Sequence, residues 1–117
     1  MDSQLSRYKE LIKEVVTEWA EAGQSPTPVK TLVSFDDEHA NYLMLVAGWE
    51  RGERHHDIIF HAHVPDGKIW IEWDGTSPSI SEELIRRGIA EADIVFNWQS
   101  PHVRALKEAQ AAQAVPA

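Results

Sequence analysis

Apolar residues recur at intervals of three and four over residues 4–20, and charged residues fill most of the positions between them. This spacing predicts an amphipathic helix whose apolar stripe faces the core. The stripe consists of Leu5, Tyr8, Leu11, Ile12, Val15, Val16 and Trp19.

After residue 28 the pattern changes to short apolar runs separated by turn residues, which predicts strands at 29–35, 42–49, 54–64 and 68–73. The connections between these runs are short, so the strands are expected to form an antiparallel meander. The run at 42–49 is apolar at both alternating sets of positions, which is typical of a strand inside a sheet. Asp66-Gly67 predicts a two-residue hairpin turn, since a type I′ turn needs a positive φ at both central residues.

The last third of the chain is predicted to be mainly helical. Ser79 and Glu82 have the spacing of a capping box, and Gly88 stands where a helix ends. Ile94–Phe96 predicts a short strand or extended segment, and Ser100-Pro101 opens a last helix through about Ala109. The predicted fold class is α+β: an N-terminal helix packed on an antiparallel four-stranded meander sheet, followed by short C-terminal helices, in one domain over residues 1–117.

The hairpin turn sets the register of the two strands that it joins. In this register His63 lies opposite Trp70, His61 opposite Glu72, and Phe60 opposite Trp73. One face is then predicted to be core; it carries Ile58, Phe60, Ala62, Val64, Ile69, Ile71 and Trp73. The other face carries Asp57, His61, His63, Trp70, Glu72 and Asp74.

The second face allows three interpretations. His61 and His63 point the same way with Glu72 across from them, and two imidazoles and a carboxylate are a weak candidate set of metal ligands. A tryptophan among polar groups, here Trp70, is also typical of a subunit or partner interface. The third interpretation is a solvated sheet face on which His61 and Glu72 form a cross-strand pair.

Composition limits the classes of function. The formal charge is −8, which disfavours general binding to nucleic acid, because that affinity comes mainly from lysine and arginine. A local basic patch stays open as an alternative if folding brings together Arg51, Arg54, Arg86, Arg87 and Arg104. Arg86-Arg87 also has a structural reason, since the last turn of a helix favours cations.

The chain has no cysteine, no apolar run near the ~18 residues of a membrane span, and no signal-peptide pattern at its start. A cytoplasmic protein is therefore expected. The sequence also lacks a nucleophile-elbow motif, a glycine-rich phosphate loop and a zinc-protease helix motif. These absences favour a protein that is not an enzyme and uses no cofactor.

Several blocks of the chain, taken together and in order, resemble the XisI-like proteins. The first block, Tyr8–Ala20, reads YKELIKEVVTEWA and resembles the opening helix of that family. Further similar blocks are Phe35-Asp36, the run from Tyr42 to Trp49, the hairpin from Asp66 to Thr76, Ile80–Gly88, Ala92–Val95, and Pro101 with Arg104. The chain departs from the family at Asn97-Trp98, where Gly-Phe is usual, and after Arg104.

The family is named for the fdxN element excision controlling factor of heterocyst-forming cyanobacteria. The resemblance implies an accessory protein that works with a site-specific recombinase and a companion XisH-like protein, and it brings no catalytic residues. A homodimer is expected. The predicted interaction residues are Trp70, His61, His63, Glu72 and Arg104. Direct DNA binding as a directionality factor is the main alternative.

Overall fold

The structure is a computed structural model that describes residues 3–24 and 26–113, the last three of them, 111–113, by their backbone alone. Its three helices are α1 (Ser3–Ala22), α2 (Ile80–Arg86) and α3 (Pro101–Gln113). Its five strands are β1 (Lys30–Asp36), β2 (Asn41–Glu50), β3 (Glu53–His63), β4 (Ile69–Asp74) and β5 (Ile94–Phe96). A short 3₁₀ turn at Glu91–Asp93 precedes β5.

The strands form one sheet in the order β1-β2-β3-β4-β5. The first four strands are antiparallel and connected as a meander, which confirms the predicted α+β fold. The sheet has one strand more than predicted, because β5 pairs with β4 in parallel. A parallel pair needs a long crossover connection, and the segment containing α2 supplies it.

Helix α1 covers one face of the sheet, which we name the inner face; the opposite face is the outer face. The buried side of α1 is the predicted stripe, except that Leu5, Leu11 and Trp19 are only partly buried. The sheet contributes Tyr42, Phe60 and Ile71, each with no exposed surface, to the same core. Burying side chains of this size stabilises the fold by roughly 1.5–3 kcal/mol each.

The predicted register of the central hairpin holds next to the turn and then fails. His63 lies opposite Trp70 and Ala62 opposite Ile71, as predicted, but His61 lies opposite Trp73 because the register skips Glu72. Side chains alternate between faces with a period of two, so one skipped residue moves those beyond it to the other face. Trp73 was therefore wrongly predicted to be core, and 50% of its surface is exposed on the outer face.

A second irregularity lies between β2 and β3. Met44 pairs with Phe60 but Leu45 pairs with Ile58, so the register skips Ile59. Ile59 packs against the core, and Ile58 turns to the outer face with 51% of its surface exposed. The prediction of Ile58 as core is wrong for the same reason as that of Trp73.

The bulge at Glu72 also turns Asp74 toward the inner face, opposite Phe60. There its carboxylate accepts hydrogen bonds from the hydroxyls of Thr76, Ser79 and Ser81 and from the backbone N–H groups of Thr76 and Ser81. Burial opposes the charge on this carboxylate. The hydrogen bonds from Ser81 and Thr76 together outweigh burial and hold the pKa of Asp74 below its ordinary value.

Helix α2 has the ends that its sequence predicts. The Ser79 hydroxyl accepts from the N–H of Glu82 at 3.2 Å. At the other end, Gly88 has a φ of +111°, and the N–H groups of Gly88 and Ile89 donate to Ile85 and Leu84. This is a Schellman ending, and the buried pair Leu84 and Ile89 gives it the usual apolar contact.

Within the described part of the chain, no helix is long and apolar enough to cross a membrane.

The hydrogen bonds to Asp74 predict a pH-dependent contribution to stability. We expect Asp74→Asn to lower the free energy of unfolding by about 2 kcal/mol at neutral pH, because it removes charge-assisted hydrogen bonds from a partly buried site. A carboxylate whose pKa is lowered by folding stabilises the protein above its unfolded pKa of about 3.9 and loses that effect as the pH falls through the lower folded value. The difference between wild type and variant, measured by urea unfolding, should shrink over that acidic window.

Asp57→Asn is the matched control, since Asp57 is an exposed carboxylate on β3. It should change the free energy of unfolding by less than about 0.5 kcal/mol. Equal effects of the two variants would contradict the role given to Asp74.

Candidate functional site

The predicted interaction residues meet on the outer face, where we name His61, His63, Trp70, Glu72 and Arg104 the polar cluster. Strand pairing positions two of them, because His63 and Trp70 lie in one row with Asn41 across β2, β3 and β4. Glu72 joins them through the bulge, and Arg104 comes from α3. The cluster is therefore built by the neighbouring strands β3 and β4 and by α3, which is distant from them in sequence.

Glu72 is the centre of the polar cluster, but its partner differs from the prediction. Its Oε2 lies 2.7 Å from Nε2 of His63, not beside His61. The side-chain amide of Asn97 donates to both carboxylate oxygens, at 3.1 and 3.0 Å. Partial burial opposes the charge, but the hydrogen bonds from His63 and Asn97 together prevail and lower the pKa of Glu72.

His61 has a different partner. Its Nε2 lies 2.7 Å from Oδ1 of Asn41, and its ring stacks on that of His63 with 5.9 Å between the centroids. Burial lowers the pKa of His61, with His63 as a smaller contribution in the same direction and Glu72 opposing both. His61 is therefore more often neutral than an exposed histidine at the same pH.

This arrangement gives no support to the metal interpretation. Glu72 is hydrogen-bonded to His63 and Asn97, while Nε2 of His61 faces the side-chain amide oxygen of Asn41. Among the described residues, no group of three or more histidine, cysteine, aspartate or glutamate side chains is placed to hold a metal ion.

Trp70 is held from two sides. Its indole N–H donates to Oδ1 of Asp66 at 2.9 Å, and the guanidinium of Arg104 lies 5.8 Å from its ring centroid. A cation over an indole face is worth about 0.5–1 kcal/mol at an exposed site. Arg104 also donates to the carbonyl of Gln99, so its side chain fixes the start of α3 relative to the sheet.

Two tryptophans extend this surface beyond the prediction. Trp73 and Trp98 meet edge to face, with ring centroids 6.3 Å apart, and each has about half of its surface exposed. Sequence reasoning missed Trp73 because the bulge is not visible in the pattern. Trp98 did carry a signal, since it stands at Asn97-Trp98, the place where this chain departs from the Gly-Phe of the XisI-like proteins.

A groove of about 480 Å³ lies beside the polar cluster, between β5 and α3. Its apolar lining includes Ile94, Val95 and Phe96, and Arg104, Lys107 and Glu108 line it from α3. Apolar surface next to charges of both signs suits a segment of another protein better than it suits a phosphate backbone.

The five arginines of the alternative basic patch are not brought together as one surface. Arg51 and Arg54 lie at the β2–β3 turn, Arg86 and Arg87 at the end of α2, and Arg104 on α3. Arg87 pairs with Glu18 and Glu83, and Arg86 also pairs with Glu83. These two side chains are neutralised locally, which agrees with the structural reason given for them.

The electrostatics of the polar cluster predict a histidine titration. Followed by NMR, His61 should titrate with a pKa below the ordinary 6.5, because the folded protein shields its ring from water. Glu72→Gln should lower this pKa further, since it removes the carboxylate that favours the charged ring. Because the pKa of His61 is lower in the folded than in the unfolded state, His61 lowers the free energy of unfolding as the pH falls from 6.5 through the folded pKa.

Glu53→Gln serves as the control. It removes a carboxylate that lies roughly 27 Å from His61 along the same strand, and it should leave the pKa of His61 unchanged. A His61 pKa at or above 6.5, or a shift of equal size in both variants, would refute this account of the cluster.

Comparison with known proteins places the chain in a family. A family model described as XisI protein matches residues 1–110. The crystal structure of a XisI-like protein from Anabaena variabilis is 32% identical and has a TM-score of 0.79, with 84% of this chain and 90% of that chain covered. The crystal structure of fdxN element excision controlling factor XisI from the same organism is 31% identical, with a TM-score of 0.77 and coverage of 87% and 99%. No curated protein matches the chain. The family match and the two similar structures together show that the chain belongs to the XisI family.

Proposed function

We propose that this chain is a non-enzymatic factor in the control of site-specific DNA excision and that it acts through protein–protein contacts. Its proposed partners are a site-specific recombinase and a XisH-like protein. The excision role is supported by the similarity to a protein described as an fdxN element excision controlling factor. The observation that carries the contact mechanism is the composition of the outer face around β4.

Three tryptophans surround the Glu72 network on this surface: Trp70, Trp73 and Trp98. Tryptophan and arginine are the residues most enriched among those that dominate binding energy at protein interfaces. The polar groups between them already have partners within the chain, so a protein that covers them does not leave an unpaired charge behind. The adjoining groove gives a partner segment an apolar floor with charged residues around it.

Direct DNA binding has less support. The chain has a formal net charge of −8, and Arg87 already forms ion pairs with the carboxylates of Glu18 and Glu83. Metal-dependent activity has less support as well, because the arrangement of His61, His63 and Glu72 is not that of a ligand set.

The test measures binding of the purified chain to the recombinase and to the XisH-like protein encoded in the same genome, after nuclease treatment. We expect Arg104→Glu to weaken binding of the partner at least tenfold, which corresponds to about 1.4 kcal/mol, because it reverses the charge beside Trp70 and the groove. Trp70→Ala should have an effect of similar size.

The matched control is Arg86→Glu, an arginine on a different helix whose ion pair with Glu83 lies within that helix. It should change partner affinity less than twofold, and circular dichroism should show all variants folded. Two outcomes would contradict the proposal: no binding to either purified partner, or binding by wild type that disappears once nucleic acid is digested. The second would indicate tethering through DNA.

A further inference from the structure

The outer face of β1–β3 carries a row of apolar side chains that the fold does not cover. Leu32, Leu45 and Ile58 are direct register partners across the three strands, and Leu43 lies two residues from Leu45 on the same face. We name these four residues the apolar stripe. Leu32 and Ile58 have 47% and 51% of their surface exposed, in the middle of a sheet face and not at a chain end. Contiguous exposed apolar surface of this kind marks an interaction site.

Charge is also depleted on this face. The outward positions of β2, the strand between β1 and β3, contain only Asn41, Leu43, Leu45, Ala47 and Trp49. Acidic residues crowd the helical side instead; they include Glu10, Glu14, Glu18 and Glu21 on α1 and Glu82 and Glu83 on α2. Depletion of charge at the centre of a patch distinguishes interfaces from ordinary surface.

The charged residues that do face outward on β1–β3 are segregated to opposite ends of these strands. The outward residues of β1 read Lys30, Leu32, Ser34 and Asp36, from a cation through an apolar centre to an anion. The Lys30 end also carries Arg54, which lies over the ring of Trp49.

We propose that this face binds a second copy of the chain, face to face, with the strands of the two copies reversed. A twofold axis that runs across the strands exchanges their two ends. The apolar stripe of one copy then meets the stripe of the other, and each Lys30 end meets an Asp36 end. An isologous interface must be complementary to itself. This charge pattern is self-complementary, because reversing the strands sets cations against anions. Aligned packing of two sheets, about 10 Å apart, is the corresponding geometry.

The outer face of β1–β3 supplies much of the area that such a dimer needs. A stable interface needs about 800 Å² of accessible surface per partner, about a tenth of the surface of a small protein. The 28 residues of β1–β3 present roughly 460 Å² of flat sheet, given about 3.4 Å per residue and 4.8 Å between strands, and the side chains that project from the sheet add to this area. The stripe lies on β1–β3, whereas Trp70 and Arg104 lie on β4 and α3. The dimer contact thus goes beyond the proposed function and leaves the partner surface on another part of the sheet.

The first experiment is sedimentation velocity of the full chain over a dilution series. Wild type should sediment as a dimer with twice the 13.3 kDa of one chain. Ile58→Lys should raise the dimer dissociation constant about 30-fold or more, because it places two ammonium groups in the apolar centre. Leu106→Lys is the matched control: Leu106 is equally exposed, at 51%, but lies on α3, and its variant should remain dimeric.

The second experiment tests the direction of packing. Lys30→Glu and Asp36→Lys should each weaken self-association, because each variant places like charges against each other at both ends of the interface. Mixed together, the two variants should form a heterodimer, in which both end contacts join opposite charges again. Asp36 also accepts a hydrogen bond from the N–H of His39, so thermal unfolding of each variant is measured first. If Asp36→Lys does not fold, Lys30→Glu mixed with Asp36→Asn replaces the pair and should associate more strongly than Lys30→Glu alone.

Three results would overturn the proposal: a monomeric wild type, an Ile58→Lys variant that associates as strongly as wild type, or a mixture of charge variants that associates no better than its components. A monomer that loses recombinase binding in Ile58→Lys would assign the stripe to that partner instead. The dimer proposal and the proposed function can fail independently, since Arg104→Glu should weaken binding of the partner and leave the dimer intact.

Discussion

Asp74 holds the sheet and the second half of the chain together. Its carboxylate binds the hydroxyls and amides of the segment that starts α2, so the end of β4 and the start of α2 are held by one anion. Asp74 reaches this position only because the bulge at Glu72 shifts the alternation of β4. The same shift sends Trp73 outward and leaves Glu72 beside His63. One skipped residue thus sets both the anchor of α2 and the chemistry of the outer face.

A sheet with one helical layer has one buried face, and the use of the other face is the main question about this protein. Part of that face is apolar and part is a closed polar network surrounded by tryptophans. A solvated sheet face would alternate polar residues outward and would not expose Leu32, Ile58 and two tryptophans. The two parts differ in composition, so we infer two different contacts, one with a second copy and one with a different protein.

The charge distribution follows the same division. The net charge of −8 lies mainly on the helical side, where Arg86 and Arg87 are matched to nearby carboxylates. That side is suited to solvent. On β1–β3 the outer face keeps few charges and separates them by sign, which favours contact with a protein over contact with nucleic acid.

The sequence by itself determined the elements and the fold class. Helical periodicity defines α1, turn residues separate the strands, and Ser79 and Gly88 mark the ends of α2; all of these signals are local in the chain. The sequence also identified His61, His63, Trp70 and Glu72 as one surface. It could not place Ile58 or Trp73, because a bulge depends on the strands paired on either side and leaves the apolar pattern unchanged. Only the tertiary structure decided that Glu72 pairs with His63, that Asn97 and Arg104 join from distant elements, and that the apolar stripe stays uncovered, since each of these follows from contacts between segments far apart in sequence.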